Sequence, residues 1–180
     1  MNVPRTAPTP GDSDRETPDI AAETTAVYLS ATDARAAEML TDLAGLYEDR
    51  YGPGARAEMN RYSADLFDPP LGAFLLLMLD DLAVAGGAFM PHSAGTVEFK
   101  RIWTHRQHRR RGLSRRVLRE LEAEAARRGY RRVVLTTGPR QPEAIALYRN
   151  AGYTRLLDVA TPTEAVDLLT FEKWLPESAN

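Results

Sequence analysis

Arg109-Arg110-Arg111-Gly112-Leu113-Ser114-Arg115-Arg116 is the stretch on which the fold and the chemistry turn. It follows Thr96 to Thr104, which reads as a strand, and leads into Leu113, Val117, Leu118, Leu121 and Ala125, apolar residues recurring at helical spacing. Strand, glycine and helix start, in that order, make an anion site. The first turn of a helix has N–H groups without intrahelical partners and carries partial positive charge, and a glycine lets the backbone approach a phosphate oxygen. No G-x-x-x-x-G-K-[ST] loop is present and no G-x-G-x-x-G follows a strand, so nucleoside triphosphates and dinucleotides lose their usual signatures.

Downstream of this stretch, Gly129 ends the helix, Val133 to Thr137 reads as a buried strand, and Pro142 opens a second helix with Ile145, Leu147, Tyr148 and Ala151 on its apolar side. Tyr153 to Val159 and Val166 to Phe171 are the last strands expected, around a turn at Thr161-Pro162. Upstream, Thr96 to Thr104 alternates Val97, Phe99, Arg101 and Trp103 against Glu98, Lys100, Ile102 and Thr104, as in a covered central strand. Ala73 to Leu79 and Ala83 to Met90 form a hairpin around Asp80-Asp81. Asp33 caps a helix carrying Ala36, Met39, Leu40, Leu43, Leu46 and Tyr47, which Gly52-Pro53-Gly54 stops. A further helix is expected from Ala55 to Leu66, ended by Pro69-Pro70, and a short strand at Ala26 to Leu29. Residues 1–24 hold Pro4, Pro8, Pro10 and Pro18 and almost nothing large and apolar, so they read as a disordered tail ahead of one α+β domain over 25–180.

The chain of 180 residues is 43% hydrophobic and 27% charged, enough for a core of its own. It has no cysteine, which excludes thiol nucleophiles, iron–sulfur clusters, Cys-ligated zinc and disulfides, and leans toward a reducing, cytoplasmic setting. Neither a secretory leader nor a membrane span is expected, because the longest apolar run is Ala73 to Leu79. The formal charge of -2 hides a division: residues 1–99 balance at -10, residues 100–132 at +10 and residues 133–180 at -2. A basic block inside an acidic chain points to an anionic ligand, such as a phosphate-bearing cofactor or nucleic acid.

At Arg109-x-x-Gly112-x-Ser114 the sequence resembles the GNAT superfamily of N-acetyltransferases, whose pyrophosphate loop reads Gln/Arg-x-x-Gly-x-Gly/Ala. Glu98-Phe99-Lys100-Arg101-Ile102-Trp103-Thr104 looks like the family's fourth strand, and Gln141 to Tyr153 looks like its last helix and the strand after it. The departure is Ser114, small enough for the position and able to offer a hydroxyl to a phosphate. The resemblance covers roughly residues 25–175 and implies an α+β (α/β) fold with a mixed, mostly antiparallel sheet of six to seven strands flanked by about four helices. It implies acetyl-CoA as cosubstrate, held by Ile102, Trp103 and Thr104, by Arg109, Arg110, Arg111, Gly112, Leu113 and Ser114, and by Gln141, Ala144 and Tyr148.

Transfer to an amine needs a neutral nucleophile, because an alkylammonium with a pKa of about 10.4 is protonated at neutral pH. Glu98 is the candidate base, with burial expected to raise its pKa, while a role holding Lys100 or Arg101, or orienting the amine, stands beside it. Tyr148 matches the family tyrosine that protonates the leaving thiolate, although a tyrosine on the apolar face of a helix is also a core residue. Trp103 is read equally as core and as a wall of the acyl site. His105 and His108 stand among arginines that repel a dication, so no metal is expected.

The acceptor expected is a small-molecule or amino-acid-like primary amine, bound by the variable segment Tyr47 to Leu71 and the turn between the last strands. A protein lysine or N-terminus is the alternative within the same chemistry. Two readings of other kinds are nucleic-acid binding through residues 100–132, disfavoured by a pI near 6.0, and an inactive acetyl-CoA sensor. A homodimer is an expectation carried by the resemblance alone.

Overall fold

The computed structural model describes residues 19–59, 61–156 and 168–176. Among these residues seven strands form one sheet in the order β1-β2-β3-β4-β5-β7-β6. They are β1 (Thr25–Leu29), β2 (Ala73–Leu79), β3 (Leu82–Ser93), β4 (Thr96–Thr104), β5 (Arg132–Thr137), β6 (Thr154–Arg155) and β7 (Leu169–Trp174). Every pairing is antiparallel except β4 with β5. The helices are α1 (Ile20–Glu23), α2 (Ala34–Tyr51), α3 (Ala55–Met59), α4 (Leu113–Arg127) and α5 (Pro142–Asn150), with a 3-10 turn at Ala64–Phe67.

The apolar stripe of α4 settles on one face of the sheet. Leu113, Val117, Leu118 and Leu121 pack there with Val97, Phe99, Leu135 and Phe171, joined by Tyr148 of α5. On the other face Met39 and Leu43 of α2 pack with Phe67, Leu76, Ala88 and Trp103. Asp33 caps α2 by accepting from the Arg35 N–H at 2.9 Å. The connection β4-α4-β5 is the crossover that parallel strands require.

Three expectations are corrected. The alternation read along Thr96 to Thr104 breaks at a β-bulge: Gly86 pairs with Trp103 and Ala88 with Lys100, so Arg101 and Ile102 together oppose Gly87. Arg101 absorbs the extra residue at φ +60°, and Ile102 and Trp103 thereby exchange sides: Trp103 moves from the face of Phe99 to the face of α2, and Ile102 moves to the α4 side. The helix expected from Ala55 to Leu66 is instead the short α3 followed by the separate 3-10 turn. Part of the stretch expected as a tail has structure: α1 lies against α4, where Arg116 donates to the Ala21 carbonyl and, at 2.8 Å, to Thr24 Oγ1. Residues 1–18 and the turn at Thr161-Pro162 lie outside the described residues.

Two glycines opposite the bulge let both helices close on the sheet. A Cβ on Gly87 would stand 2.7 Å from Ile102 Cδ1 and 2.9 Å from Val117 Cγ1, and one on Gly86 would stand 2.6 Å from Met39 Sδ and 2.7 Å from the Leu75 carbonyl.

Candidate active site

β4 and β5 run together only from Thr96 to Phe99, paired with Arg132 to Leu135. Beyond Phe99 they part. β5 goes on with β7 as far as Thr137 and Leu169, while β4 runs on to Thr104 with β3 on its other side. Among the described residues no strand pairs with the outer edge of β4 past Phe99, so its backbone N–H and C=O groups there face a gap between strands. A cleft of about 2020 Å³ runs along this gap.

At one end of the cleft lies the loop into α4. Gly112 at φ +78° and Arg110 at φ +64° are left-handed, and Gly112 supplies no side-chain cap, so the N–H groups of the first turn of α4 are left for an anion. Arg109 donates to the Thr104 carbonyl at 3.5 Å, fixing the loop to the end of β4. Ser114 is held by Thr104, their hydroxyls 2.7 Å apart, so it braces strand to helix at the position where the sequence suggested a phosphate donor. Arg109, Arg110, Gly112, Leu113, Ser114 and Arg115 line the cleft. Arg111 does not: its side chain is exposed beside His108, whose pKa it helps burial and His105 to lower. Arg115 carries no signal that separates it, in sequence, from the other arginines on α4.

Ile102, Trp103, Thr104, Gln141, Ala144 and Tyr148 also line the cleft. The Trp103 indole N–H donates to Asp42 Oδ2 at 2.6 Å, so the side chain is both buried and hydrogen-bonded at the wall. Tyr148 packs at 5.9 Å from the Tyr153 ring and 5.8 Å from Phe171. Burial, and then the Tyr47 phenol, push its pKa above the ordinary tyrosine value, which keeps the hydroxyl protonated as a donor. Behind α5, Glu122 accepts from Tyr153 at 2.8 Å and from Lys173 at 2.7 Å, and Lys173 also donates to the Ala151 carbonyl that ends the helix.

The other end of the cleft is formed by α2, α3 and the first half of β4. Glu98 is buried, with Lys100 Nζ 2.7 Å from Oε1 and His92 Nδ1 3.7 Å from Oε2, and the Lys100 ammonium lies 4.8 Å from the Tyr62 ring centre. Tyr47, Tyr51, Met59, Tyr62 and Phe67 enclose this end. The end of α2 is strapped to the loop before α5: Arg50 pairs with Glu143 and accepts from Arg140 through its carbonyl, and Gln141 Nε2 donates to Tyr51 Oη at 3.2 Å. Gly138 is needed there, since a Cβ would collide with the Tyr51 hydroxyl. Tyr47, Tyr51 and Tyr62 fall within the segment Tyr47 to Leu71 expected at the acceptor, but nothing in the sequence placed His92 at this wall.

The basic block does not form one exposed face. Arg116 binds Glu120 and α1, Arg127 and Arg128 bind Glu124, Arg132 binds Glu172, and Lys100 binds Glu98. Among the described residues no group of three or more His, Asp or Glu side chains could hold a metal, and no helix is long and apolar enough to cross a membrane.

Among the described residues this mixed sheet parts between its one parallel pair, beside a glycine-opened helix N-terminus, as the GNAT resemblance implies for an acyltransferase. The chain matches the Acetyltransferase (GNAT) family over residues 37–153, and it belongs to that family. It is similar in structure to a candidate acyl-CoA N-acyltransferase from Klebsiella pneumoniae, with TM-score 0.69 and 27% identity over 86% of this chain and 99% of that one. A candidate acetyltransferase from Salmonella typhimurium, solved with acetyl-CoA, shares the fold at TM-score 0.62 and 22% identity, covering 87% of this chain and 96% of that one. Among curated proteins it is 40% identical over 58 residues to "Probable N-acetyltransferase 14" of Xenopus tropicalis, a match spanning 32% of this chain and 28% of that protein.

Proposed function

We propose that this acyltransferase moves an acetyl group from acetyl-CoA directly to the primary amine of a small acceptor. The observation that carries the reading is the parting of β4 from β5 after Phe99, at the end where Arg110 and Gly112 turn the backbone N–H groups of α4 inward. The residues present fit the cofactor: Arg109, Arg110, Arg115 and the first turn of α4 would hold the phosphates, and the unpaired edge of β4 from Lys100 to Thr104 would hold the amides of the pantetheine arm. Acetyl-CoA, when bound, supplies an acetyl group activated as a thioester.

The chain's own residues then handle protons and orientation. The Glu98 carboxylate, beside Lys100 and His92, is the group that accepts a proton from the acceptor ammonium, directly or through water. Tyr148 Oη holds the proton offered to the departing sulfur, and its raised pKa keeps that proton in place until it is needed. Tyr47, Tyr62 and Phe67 exclude water from the acceptor end. This enclosure by side chains of α2 and the segment after α3 supports a small acceptor over a protein one.

The test is calorimetric titration with acetyl-CoA and with desulfo-CoA, followed by an amine screen read as free-thiol release. Binding of both ligands and amine-dependent thiol release are expected. Failure of either ligand to bind sinks the reading.

A further inference from the structure

Arg101 stands where the cleft opens, two residues past the last β4–β5 pair. It is the residue that holds the bulge, at φ +60°, a conformation that residues other than glycine rarely adopt. Regular alternation would have sent its side chain to the α4 face, alongside those of Val97 and Phe99. The bulge sends it instead toward α3 and the 3-10 turn, where Nη2 donates to the Met59 carbonyl at 3.2 Å and the guanidinium lies 4.2 Å from the centre of the Phe67 ring. The Phe67 ring and the Met59 carbonyl hold the group in place, and that single carbonyl uses one of its five donors.

No carboxylate answers this cation among the described residues. Among the cleft's acids whose side chains are described, Glu98 is engaged by Lys100, Asp42 by the Trp103 indole and Glu143 by Arg50. Burial lowers the pKa of Arg101, the signature of a charge taken out of water without a matching anion. A half-buried guanidinium, held against Phe67 and lining a cleft enclosed by Tyr47 and Tyr62, has the planar fork of donors that suits an anion accepting two parallel hydrogen bonds.

We propose that the acceptor is a free amino carboxylic acid and that Arg101 binds its carboxylate. The inference rests on the acetyltransferase reading above and names the substrate class of that same site. It divides the labour at the acceptor end: Arg101 takes the carboxylate, while Glu98, held at Oε1 by Lys100, acts on the amine through Oε2. The bulge then has a purpose beyond geometry, because only a residue displaced from regular alternation can reach the α2 side from this position in β4.

The experiment uses the full chain, acetyl-CoA and matched pairs of l-amino acids and their carboxamides, read as free-thiol release and product mass. At least one acid is expected to exceed its amide in kcat/KM by roughly tenfold to a hundredfold, the range for hydrogen bonds to a charged group. Arg101→Gln is expected to erase that ratio mainly through KM, and Arg101→Lys to restore part of it, with acetyl-CoA affinity measured in each variant to show that it is folded. Equal use of acids and amides overturns the proposal, as does a ratio that survives Arg101→Gln, or transfer confined to a lysine peptide. Acetyl-CoA binding without transfer to any acid also overturns it while leaving the cofactor assignment standing, whereas absence of acetyl-CoA binding overturns the acetyltransferase reading itself.

Discussion

Gly112 separates the structural demand of the phosphate loop from its chemical one. It sits at φ +78° at the start of α4, and a Cβ built there meets only Ala21 Cβ at 3.8 Å, an ordinary contact. Space is therefore not limiting, and Gly112→Ala costs the backbone strain of a left-handed alanine, about 1–2 kcal/mol. Gly112→Asp carries no greater backbone cost, since aspartate tolerates this conformation better than alanine does. Its carboxylate, however, stands at the helix N-terminus where a phosphate would bind. Two unit charges about 5 Å apart at an effective dielectric near 20 repel by about 3 kcal/mol, roughly a hundredfold in Kd. The assay is calorimetry with acetyl-CoA on both variants, with thermal melting as the check on folding. The expected order is wild type, then alanine within about tenfold, then aspartate weaker than alanine by roughly a further hundredfold. An aspartate variant that binds acetyl-CoA as tightly as the alanine variant would refute the placement of the phosphates at α4.

Three further outcomes are expected. Tyr148→Phe lowers kcat by about tenfold or more with little change in the KM for acetyl-CoA, because the hydroxyl acts on the leaving group and not in binding; an unchanged kcat in steady-state thiol release assigns Tyr148 to packing alone. Gly87→Ala inserts a methyl between Ile102 and Val117 and destabilises the fold by about 1–3 kcal/mol, lowering the melting temperature by several degrees; a variant that melts with wild type refutes the close approach of α4 at the bulge. Glu124 is buried, and burial alone would raise its pKa, but hydrogen bonds from Arg127 and Arg128 outweigh that and hold it below the usual carboxylate value. A carboxyl depressed in the folded state contributes stability above its unfolded pKa of about 4.3 and loses it as pH falls through the folded value, so Glu124→Gln should be less stable by about 1–3 kcal/mol at pH 7 and converge on wild type in acid denaturation; parallel curves at all pH values refute the linkage.

Much of the fold was legible locally. The spacing of Leu113, Val117, Leu118 and Leu121 is helical, and a helix with one apolar stripe has one way to face a sheet. Asp33, Gly129 and Pro142 mark helix ends because caps and breakers act on the backbone within a few residues of themselves. The proposed phosphate loop rests on local sequence for the same reason: Gly112, the arginines beside it and the start of α4 are neighbours in the chain.

What the sequence alone could not decide depended on contacts between distant segments. Ile20 to Glu23 lacks the length and the apolar content to order itself, and is held by Arg116, more than 90 positions away. The segment after Ala55 breaks into α3 and a 3-10 turn because Phe67 must reach the core beside Trp103 while Met59 meets Arg101 across the chain. The bulge in β4 was hidden because both faces of the strand carry apolar residues, so a one-residue shift leaves a pattern as plausible as regular alternation. That shift assigns Trp103 to the α2 face and turns Arg101 toward Met59 and the end of the cleft beside α3. Local propensity determined the elements and the glycine-opened start of α4, whereas the register of β3 against β4 and the packing of α2 and α3 over it decided which side chains share that end of the cleft, because register and packing exist only between segments.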